Sequence, residues 1–341
     1  MKDGIVFQMT KNFKKAIDLI NGSQSWLITS HTRPDGDAIG CIKAFCELAA
    51  HLGKKAQPIL LSPPAHWYNF IFEKPVPVLG NDFKLENLQN GSFGSFDLII
   101  IVDTNSYVQL DDFDKWLKIT KVPVLVIDHH ITGDNLGNVE VIDSTAAATG
   151  EIVFDLFKFA DWKITPVIAE ALYIALSTDT GWFRFDNTDS RVMRNASSLI
   201  EFGASPSVVY HKLYQNYSPA RLKLLGRMLN GVEFYHDGKI AFQHIMRSDF
   251  DATGATGSDT EEFVNECQRV NSVEAAALFV ELKDGGFRCS LRSNGNVDVQ
   301  KIASELGGGG HKMASGVNLK GSLTEAKKLI LDKIEQQLLN S

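Results

Sequence analysis

Positive charge is in short supply in this sequence. Its 34 Lys and Arg residues are outnumbered by 41 Asp and Glu residues, and the formal net charge is −7. Proteins that coat long duplexes neutralise many phosphates and carry a basic surface. The acidic balance therefore argues against long duplex nucleic acid as the main partner, whereas a small anionic ligand needs only a few well-placed cations.

Cysteine and long apolar runs are also scarce. The chain has four cysteines and no CxxC pair, so we expect reduced, mostly buried thiols rather than a disulfide framework. No stretch reaches the ~20 apolar residues that a membrane span needs. The N-terminal segment lacks the apolar core of a secretory signal. These absences predict a cytoplasmic protein without a membrane partner.

The length and the residue pattern predict an α/β protein with two domains. Short apolar runs alternate with helical patterns in the first half of the chain, as is typical of parallel strands covered by helices on both faces of the sheet. These runs are residues 26–29, 97–102 and 122–127. We expect an extended piece at residues 183–185 and a helix at residues 261–270. The predicted boundaries are a parallel-sheet domain over residues 1–190, a helical connector over 191–230, and a smaller α+β domain over 231–341.

Polar side chains cluster close to the ends of the predicted strands, where ligands bind to parallel sheets. They lie in residues 31–37 (HTRPDGD), at Asp103, in residues 128–130 (DHH) and at Asp179. Carboxylates and imidazoles are ligands for divalent Mg, Mn, Fe and Zn. Several carboxylates gathered at one edge raise one another's pKa unless cations neutralise them. The four aspartates Asp35, Asp37, Asp103 and Asp179 match the charge of two divalent cations, an arrangement known for displacement at phosphorus.

Each segment also has an ordinary structural explanation. An aspartate after a strand commonly caps a helix or stabilises a turn, and His129 with His130 is also typical of a surface loop. All segments together, at the ends of these strands, favour a metal site over the separate structural explanations.

The segments resemble the blocks of a known family. The four blocks of the DHH phosphoesterase superfamily are similar to HTRPDGDAIG (31–40), VDTN (102–105), DHH (128–130) and STDTGWFRF (177–185). The DHHA1 domain resembles SLRSNGNVDVQKIA (290–303) and GGGGHKMASG (307–316). Within the superfamily, the sequence is most similar to the stand-alone nanoRNase and pAp-phosphatase group.

The resemblance implies two divalent cations, and mixed imidazole and carboxylate ligation favours Mn²⁺. The implied ligands are His31 and Asp35 for the first ion, Asp37, His129 and Asp179 for the second, and Asp103 as a bridge between them. His130 would contact the transferred phosphoryl group, and Asp128 would orient the neighbouring histidines. With Asp103, these two residues form the implied catalytic set.

Most of the implied substrate-binding residues lie in the second domain. They are Arg292, Ser293, Gly308, Gly309, Gly310 and His311, joined by Arg184 from the catalytic side. Arginine offers the bidentate geometry that phosphate prefers, and glycine lets backbone N–H groups approach an anion closely. The resemblance implies that this block closes over the substrate and holds its terminal phosphate and base. Taken alone, the glycine run is more typical of a flexible turn.

These features predict a phosphoesterase that uses two-metal-activated water. Its expected substrates are short oligonucleotides, including pApA, cleaved to 5′-mononucleotides, and also pAp, converted to AMP. One alternative is a family II-type pyrophosphatase or exopolyphosphatase, which shares the DHH blocks but carries a different second domain. Another is a non-catalytic nucleotide- or RNA-binding module, against which the complete ligand set argues. The sequence does not decide whether the substrate is RNA or DNA, from which end it is attacked, or whether the protein forms a homodimer.

Overall fold

The computed structural model describes residues 2–131, 133–283 and 285–338, with side chains for all of these except residues 2–9 and 311. The chain forms two compact units, Met1–Asn216 and Tyr217–Ser341. The boundary between them falls inside the stretch predicted to be a helical connector. No helix in the described part of the chain is long and apolar enough to cross a membrane. All four cysteines are free, and three of them are buried.

The first unit is built on a five-stranded sheet. Its strands are β1 (Ser25–Thr29), β2 (Lys55–Pro58), β3 (Leu98–Val102), β4 (Val124–Asp128) and β5 (Val139–Ile142). Its helices are α1 (Lys2–Gly22), α2 (Gly36–His51), α3 (Leu85–Gln89), α4 (Phe113–Leu117), α5 (Thr149–Phe159), α6 (Pro166–Asp179), α7 (Ser190–Glu201) and α8 (Pro206–Tyr214). The strand order is β2-β1-β3-β4-β5, and every pair of neighbours is parallel.

The sheet is buried on both faces, because successive strand residues enter two different apolar clusters. Trp26 and Ile28 of β1 join a cluster that includes side chains of α1, α2, α5 and α6. Leu27, between them, joins the cluster on the opposite face, with side chains of α3 and α4. Continuous apolar strands are the expected result of such double burial. The predicted parallel sheet with helices on both faces is confirmed.

Helices α2 and α6 pack at very short range where α2 has a glycine. A Cβ atom added at Gly40 would lie 2.4 Å from the carbonyl oxygen of Ala171 and 3.0 Å from the Cβ atom of Ala175. Backbone atoms at that distance cannot move aside without shifting a helix. The missing side chain at Gly40 therefore sets the separation of the two helices.

The second unit is an α+β domain with a six-stranded sheet. Its strands are β6 (Glu233–Tyr235), β7 (Ile240–Ile245), β8 (Ala275–Glu281), β9 (Phe287–Ser293), β10 (Gly309–His311) and β11 (Ala314–Leu319). Its helices are α9 (Pro219–Asn230), α10 (Arg247–Thr253), α11 (Val299–Glu305) and α12 (Leu323–Leu338). The strand order is β10-β11-β9-β8-β7-β6, and β7–β8 is the parallel pair. One face packs on α11 and α12 and the other on α9 and α10.

One local prediction is wrong, and another is confirmed only in part. Residues 183–185 form a turn instead of an extended piece, because the amide groups of Arg184 and Phe185 both donate to the carbonyl oxygen of Thr180 (2.9 and 3.1 Å). The preference of aromatic residues for strands depends on their packing against neighbouring strands. The predicted helix at residues 261–270 is a 3₁₀ segment, Phe263–Arg269, a form that short helical pieces commonly take. The edge strands β2 and β5 were not predicted.

The close packing at Gly40 leads to a stability prediction. Gly40→Ala should lower the free energy of unfolding by about 1–3 kcal/mol, the usual cost of overpacking. Gly226→Ala is the matched control, because Gly226 lies inside α9 with no atom within 4 Å of the added Cβ. Alanine there should add up to about 1 kcal/mol through helix propensity. Calorimetric unfolding of both variants measures the difference, and equal effects would contradict the packing argument.

Candidate metal centre

The polar segments of the first unit all lie beside the carboxyl ends of adjacent strands. Asp35 and Asp37 follow β1 at the start of α2, Asp103 follows β3, and Asp128 ends β4 immediately before the two histidines. Asp179 is the last residue of α6. Because β1, β3 and β4 are neighbours, their ends bring these side chains to one edge of the sheet.

Three groups of side chains have donor atoms within 4.8 Å of one another. They are His31 with Asp35 and Asp103, Asp37 with His129 and Asp179, and Asp103 with His129 and His130. The first two groups contain all six residues that the resemblance implied as ligands. Oxygen and imidazole nitrogen donors of this kind suit divalent first-row metals and Mg²⁺.

The two candidate histidine ligands are oriented by backbone carbonyl groups. Nδ1 of His31 lies 2.8 Å from the carbonyl oxygen of Thr32, and Nδ1 of His129 lies 3.3 Å from that of Ala146. Nδ1 is therefore the protonated nitrogen in each ring, and Nε2 keeps the lone pair that a metal needs. Nε2 of His31 lies 3.3 Å from an oxygen of Asp103.

Nε2 of His129 also faces carboxylates. It lies 3.4 Å from Oδ2 of Asp179 and 3.6 Å from Oδ1 of Asp103. Burial, followed by the nearby His130, lowers the pKa of His129 and keeps its ring neutral. A neutral imidazole aimed at two carboxylates has no proton on Nε2 to share with them, so this arrangement fits a cation between the three groups.

Two of the carboxylates are almost completely removed from water. Asp37 is 0% exposed and Asp103 is 2% exposed. Burial, together with repulsion from the neighbouring aspartates, raises the pKa of both groups well above the usual value for aspartate. Buried like charges of this kind are costly unless cations are held among them. The donor set therefore fits divalent metal ions.

Residues 143–151, here called the β5–α5 segment, hold both buried carboxylates. The backbone N–H groups of Thr149 and Gly150 donate to the two oxygens of Asp37, at 2.6 and 2.8 Å. The hydroxyl group of Thr149 donates to Oδ1 of Asp103 at 3.0 Å. The positive N-terminus of α5 thus stabilises negative charge at the site.

Asp179 is placed where a helix does not favour an anion. The C-terminus of a helix is the negative end of its dipole, and Asp179 is the last residue of α6. Burial and repulsion from Asp35 raise the pKa of Asp179 to about 7. An acidic residue kept in this position indicates a function beyond helix stability.

Asp128 and His130 form a hydrogen-bonded pair. Asp128 is 0% exposed, and its Oδ1 lies 2.7 Å from Nδ1 of His130 and accepts the N–H of His129 at 2.8 Å. This contact raises the pKa of His130. The proton is therefore fixed on Nδ1, and Nε2 of His130 is left for another partner.

Left-handed backbone occurs in three of the segments that carry candidate ligands. Asp103 itself has φ +62°, and Arg33, between His31 and Asp35, has φ +56°. Gly181, Trp182 and Phe183, which follow Asp179 after one residue, have φ +56°, +60° and +62°. Such conformations are costly for residues other than glycine. Trp182 packs against Tyr173, Tyr210 and Tyr214 at ring-centroid distances of 6.0, 5.0 and 5.6 Å, which holds the turn in place.

The predicted substrate residues have contacts of several kinds. Arg292 is half-buried; its Nε donates to Asn265 at 2.9 Å and its Nη1 to the carbonyl oxygen of Leu291 at 3.0 Å. Burial lowers the pKa of Arg292. Ser293 is buried, and its Oγ accepts the N–H of Gly295 at 3.0 Å, so it stabilises a turn. In the first unit, Arg184 is exposed and its Nε donates to the carbonyl oxygen of Gly181 at 2.6 Å.

The glycine run is part of the sheet of the second unit. Gly309 and Gly310 lie in β10, which pairs with β11. A Cβ at Gly308 would lie 2.3 Å from the carbonyl oxygen of Gly316, and a Cβ at Gly310 would lie 2.5 Å from that of Ala314. Close strand approach is thus a second reason for glycine here. The side chain of His311 lies outside the described residues.

Sequence reasoning did not single out the residues that hold the candidate ligands. Thr149 and Gly150 are the first two residues of α5, and nothing local in the sequence marks them as partners of Asp37. Asn187 was also missed; its amide nitrogen donates to the carbonyl oxygens of Ala147 and Asp179, both at 3.2 Å. These contacts join segments far apart in sequence, so a single sequence carries little signal for them.

A parallel α/β unit with carboxylate and imidazole groups gathered at its strand ends is typical of metal-dependent hydrolases. The DHH family N-terminal domain matches residues 25–176, and the DHHA1 domain matches residues 237–340. The chain belongs to the DHH/DHHA1 family of phosphoesterases.

Similar proteins cover nearly the whole chain. A bifunctional oligoribonuclease and PAP phosphatase of Thermus thermophilus is 31% identical over 316 residues, 91% of this chain and 89% of the relative. A protein of the same description from Bacillus subtilis is 28% identical and covers 90% and 92%. The crystal structure of an exopolyphosphatase-related protein from Bacteroides fragilis superposes with a TM-score of 0.87 at 24% identity, covering 96% and 97%. The last comparison supports the fold.

The raised pKa of Asp179 leads to a prediction on metal binding. In the metal-free protein this carboxyl group is largely protonated below pH 7, so a cation must displace a proton to bind there. The apparent affinity for Mn²⁺ should therefore rise as the pH increases from 5.5 to 8, by an amount on the order of tenfold for each proton released per pH unit. Isothermal titration calorimetry in buffers of different ionisation enthalpy counts the released protons. Asp179→Asn should release fewer protons, and equal release from both proteins would contradict the prediction.

Proposed function

We propose that this protein is a phosphoesterase that uses two divalent cations, Mn²⁺ in preference to Mg²⁺, to hydrolyse very short oligonucleotides and pAp. The observation that carries the proposal is the gathering of six carboxylate and imidazole side chains at one sheet edge. It is supported by relatives described as bifunctional oligoribonuclease and PAP phosphatase, which match this chain over about nine-tenths of both lengths.

Each of the two side-chain groups would hold one cation. His31 and Asp35 would bind the first, Asp37, His129 and Asp179 the second, and Asp103 both. When bound, the cations lower the pKa of the attacking water and neutralise charge on the phosphoryl oxygens. Mixed nitrogen and oxygen ligation favours Mn²⁺ over the all-oxygen environment that Mg²⁺ prefers.

The Asp128–His130 pair would act on the leaving group. Asp128 holds the proton of His130 on Nδ1 and raises the pKa of the ring. A protonated His130 can donate from Nε2 to the ribose oxygen that leaves when water attacks phosphorus. The P–O bond to that oxygen breaks, a new P–O bond forms from water, and the leaving oxygen takes the histidine proton. One product of a dinucleotide is then a 5′-mononucleotide.

Arg292 would bind a phosphate of the substrate. Two of its nitrogens already have partners, Asn265 and the carbonyl oxygen of Leu291, which fix the guanidinium group. Among the described residues no carboxylate lies within ion-pair distance of Arg292, although the charge of Glu262 acts on it from further away. A half-buried guanidinium group that is fixed by two neutral partners is suited to a phosphate. Gly308, Gly309, Gly310, His311 and Arg184 are the further proposed contacts, whereas Ser293 would act through the turn that follows Arg292.

Product release from three substrates tests the proposed function. Purified protein with Mn²⁺ should produce AMP from pApA and orthophosphate from pAp, and it should leave pyrophosphate intact. Asp103→Asn should reduce both rates by at least about 100-fold, because Asp103 would ligate both cations and a neutral amide is a weaker ligand than a carboxylate. Asparagine tolerates the left-handed backbone of position 103, so the variant should fold.

The control variant for this assay is Asp114→Asn, which removes a carboxylate from a surface ion pair with Lys118. Its activity should match the wild type, since exposed ion pairs contribute little to stability. Orthophosphate from pyrophosphate alone would assign the protein to the pyrophosphatases. Tight binding of pApA without any hydrolysis would instead indicate a binding module.

The role of Arg292 is tested by Arg292→Lys, which keeps the charge but loses the planar fork. The KM for pApA should rise by about tenfold, the equivalent of one weakened charge-assisted hydrogen bond, with a smaller change in kcat. The control is Arg227→Lys in the same unit, since Arg227 is an exposed arginine that forms an ion pair with Asp249. Unchanged KM in Arg292→Lys would remove this residue from the substrate site.

A further inference from the structure

Two parts of the chain that carry no candidate ligand contact four of the six candidate metal ligands. The β5–α5 segment donates hydrogen bonds to Asp37 and Asp103 and offers a carbonyl oxygen to the ring of His129. Asn187 bridges the same segment to the backbone of Asp179. The geometry of the metal centre therefore depends on where the β5–α5 segment is held.

Arg191, at the start of α7, holds this segment from outside. Its Nη1 lies 2.8 Å from Oδ2 of Asp143, and its Nη2 lies 2.9 Å from Oδ2 of Asp155. Its Nε lies 3.5 Å from Oε1 of Glu151. One guanidinium group thus faces three carboxylates, one at the beginning of the segment, one at its end, and one a turn further along α5.

The carboxylates that Arg191 faces shape the segment themselves. Oε2 of Glu151, which is 1% exposed, accepts the N–H of Ala147 at 3.1 Å, and its Oε1 accepts from Asn195 at 3.0 Å. Oδ1 of Asp143 accepts both the N–H and the hydroxyl of Thr145, at 3.0 and 2.6 Å. The segment is therefore folded around two anions that need a cation between them.

We propose that Arg191 is a positioning residue for the metal centre, which acts through Asp143 and Glu151 to fix the β5–α5 segment and thereby the candidate ligands. The inference rests on the proposed function for the presence of the ions, but its test needs no substrate. Arg191 is not a candidate ligand. Its positive charge neutralises Asp143 and Glu151, which would repel each other if Arg191 were removed.

Buried carboxylates repel one another when no cation lies between them. Without Arg191, Glu151 keeps only neutral hydrogen-bond donors, and Asp143 and Asp155 lie nearby without their shared cation. Breaking a buried ion pair by removing one partner leaves an uncompensated charge, which is unfavourable. The charges separate or take up protons, and the β5–α5 segment moves with them. Partners behind the ligands of a metal commonly change its affinity by about 10- to 100-fold when mutated.

The test compares Mn²⁺ binding by the wild type, Arg191→Met and Arg191→Lys, using titration calorimetry on the full chain without substrate. Arg191→Met should weaken Mn²⁺ binding by at least about tenfold. Arg191→Lys should lie between the two, because lysine supplies the charge but only one donor group. The double variant Arg191→Met with Glu151→Gln should recover part of the affinity, since glutamine keeps an acceptor for Ala147 without the charge.

The matched control is Lys158→Met, which removes another cation from Asp155 on the same helix but at the far end from the metal centre. It should bind Mn²⁺ with wild-type affinity. If Arg191→Met proves unfolded by circular dichroism, Thr149→Val and Thr149→Ser provide the second arm. Valine removes the hydroxyl that donates to Asp103 and should weaken Mn²⁺ binding, whereas serine keeps it and should not.

The outcomes separate this inference from the proposed function. Wild-type Mn²⁺ affinity in Arg191→Met overturns the inference even if the wild type hydrolyses pApA. Weakened Mn²⁺ binding in that variant, in a protein that hydrolyses none of the three substrates, supports the inference and contradicts the proposed function. A wild-type protein that binds no Mn²⁺ overturns both.

Discussion

Negative charge buried at the edge of a parallel sheet is the constraint on which the first unit depends. Asp37 and Asp103 are removed from water almost completely, and burial together with neighbouring aspartates raises the pKa of both. Much of the surrounding structure stabilises this negative charge. The N-terminus of α5 points its amide groups at Asp37, and the histidine rings are turned so that Nε2 faces the carboxylates. These groups are suited to divalent cations, which would neutralise the negative charge that remains.

The fold of the first unit was largely readable from the sequence, for a clear physical reason. A strand buried on both faces is apolar at every position, so β1, β3 and β4 stand out as continuous runs. The carboxyl ends of such strands meet at one edge, and this places the polar segments that follow them. The short edge strands β2 and β5 carry a weaker signal, since their residues are partly exposed.

The residues that the sequence predicted as ligands come together in the candidate metal centre, but the sequence did not predict the contacts that hold them. Asp35 shows why the structural and the functional explanation need not compete, because its Oδ1 caps α2 while the residue belongs to a candidate ligand group. The glycine run shows the same duality, since Gly308 and Gly310 are demanded by strand packing whether or not an anion approaches them. Partners such as Thr149 lie far away in sequence from what they hold, and their residue types are ordinary at the start of a helix.

The left-handed turn after Asp179 links the candidate metal centre to helix α8. Such a backbone costs non-glycine residues about 1–2 kcal/mol each. The packing of the surrounding rings must therefore offset this cost at Trp182 and Phe183. Tyr210 and Tyr214 on α8 supply part of that compensation. Neither tyrosine belongs to a candidate ligand group, yet both hold the ring of Trp182 and thereby the turn that follows Asp179. The placement of one candidate ligand thus extends to a helix that contributes no ligand to the centre.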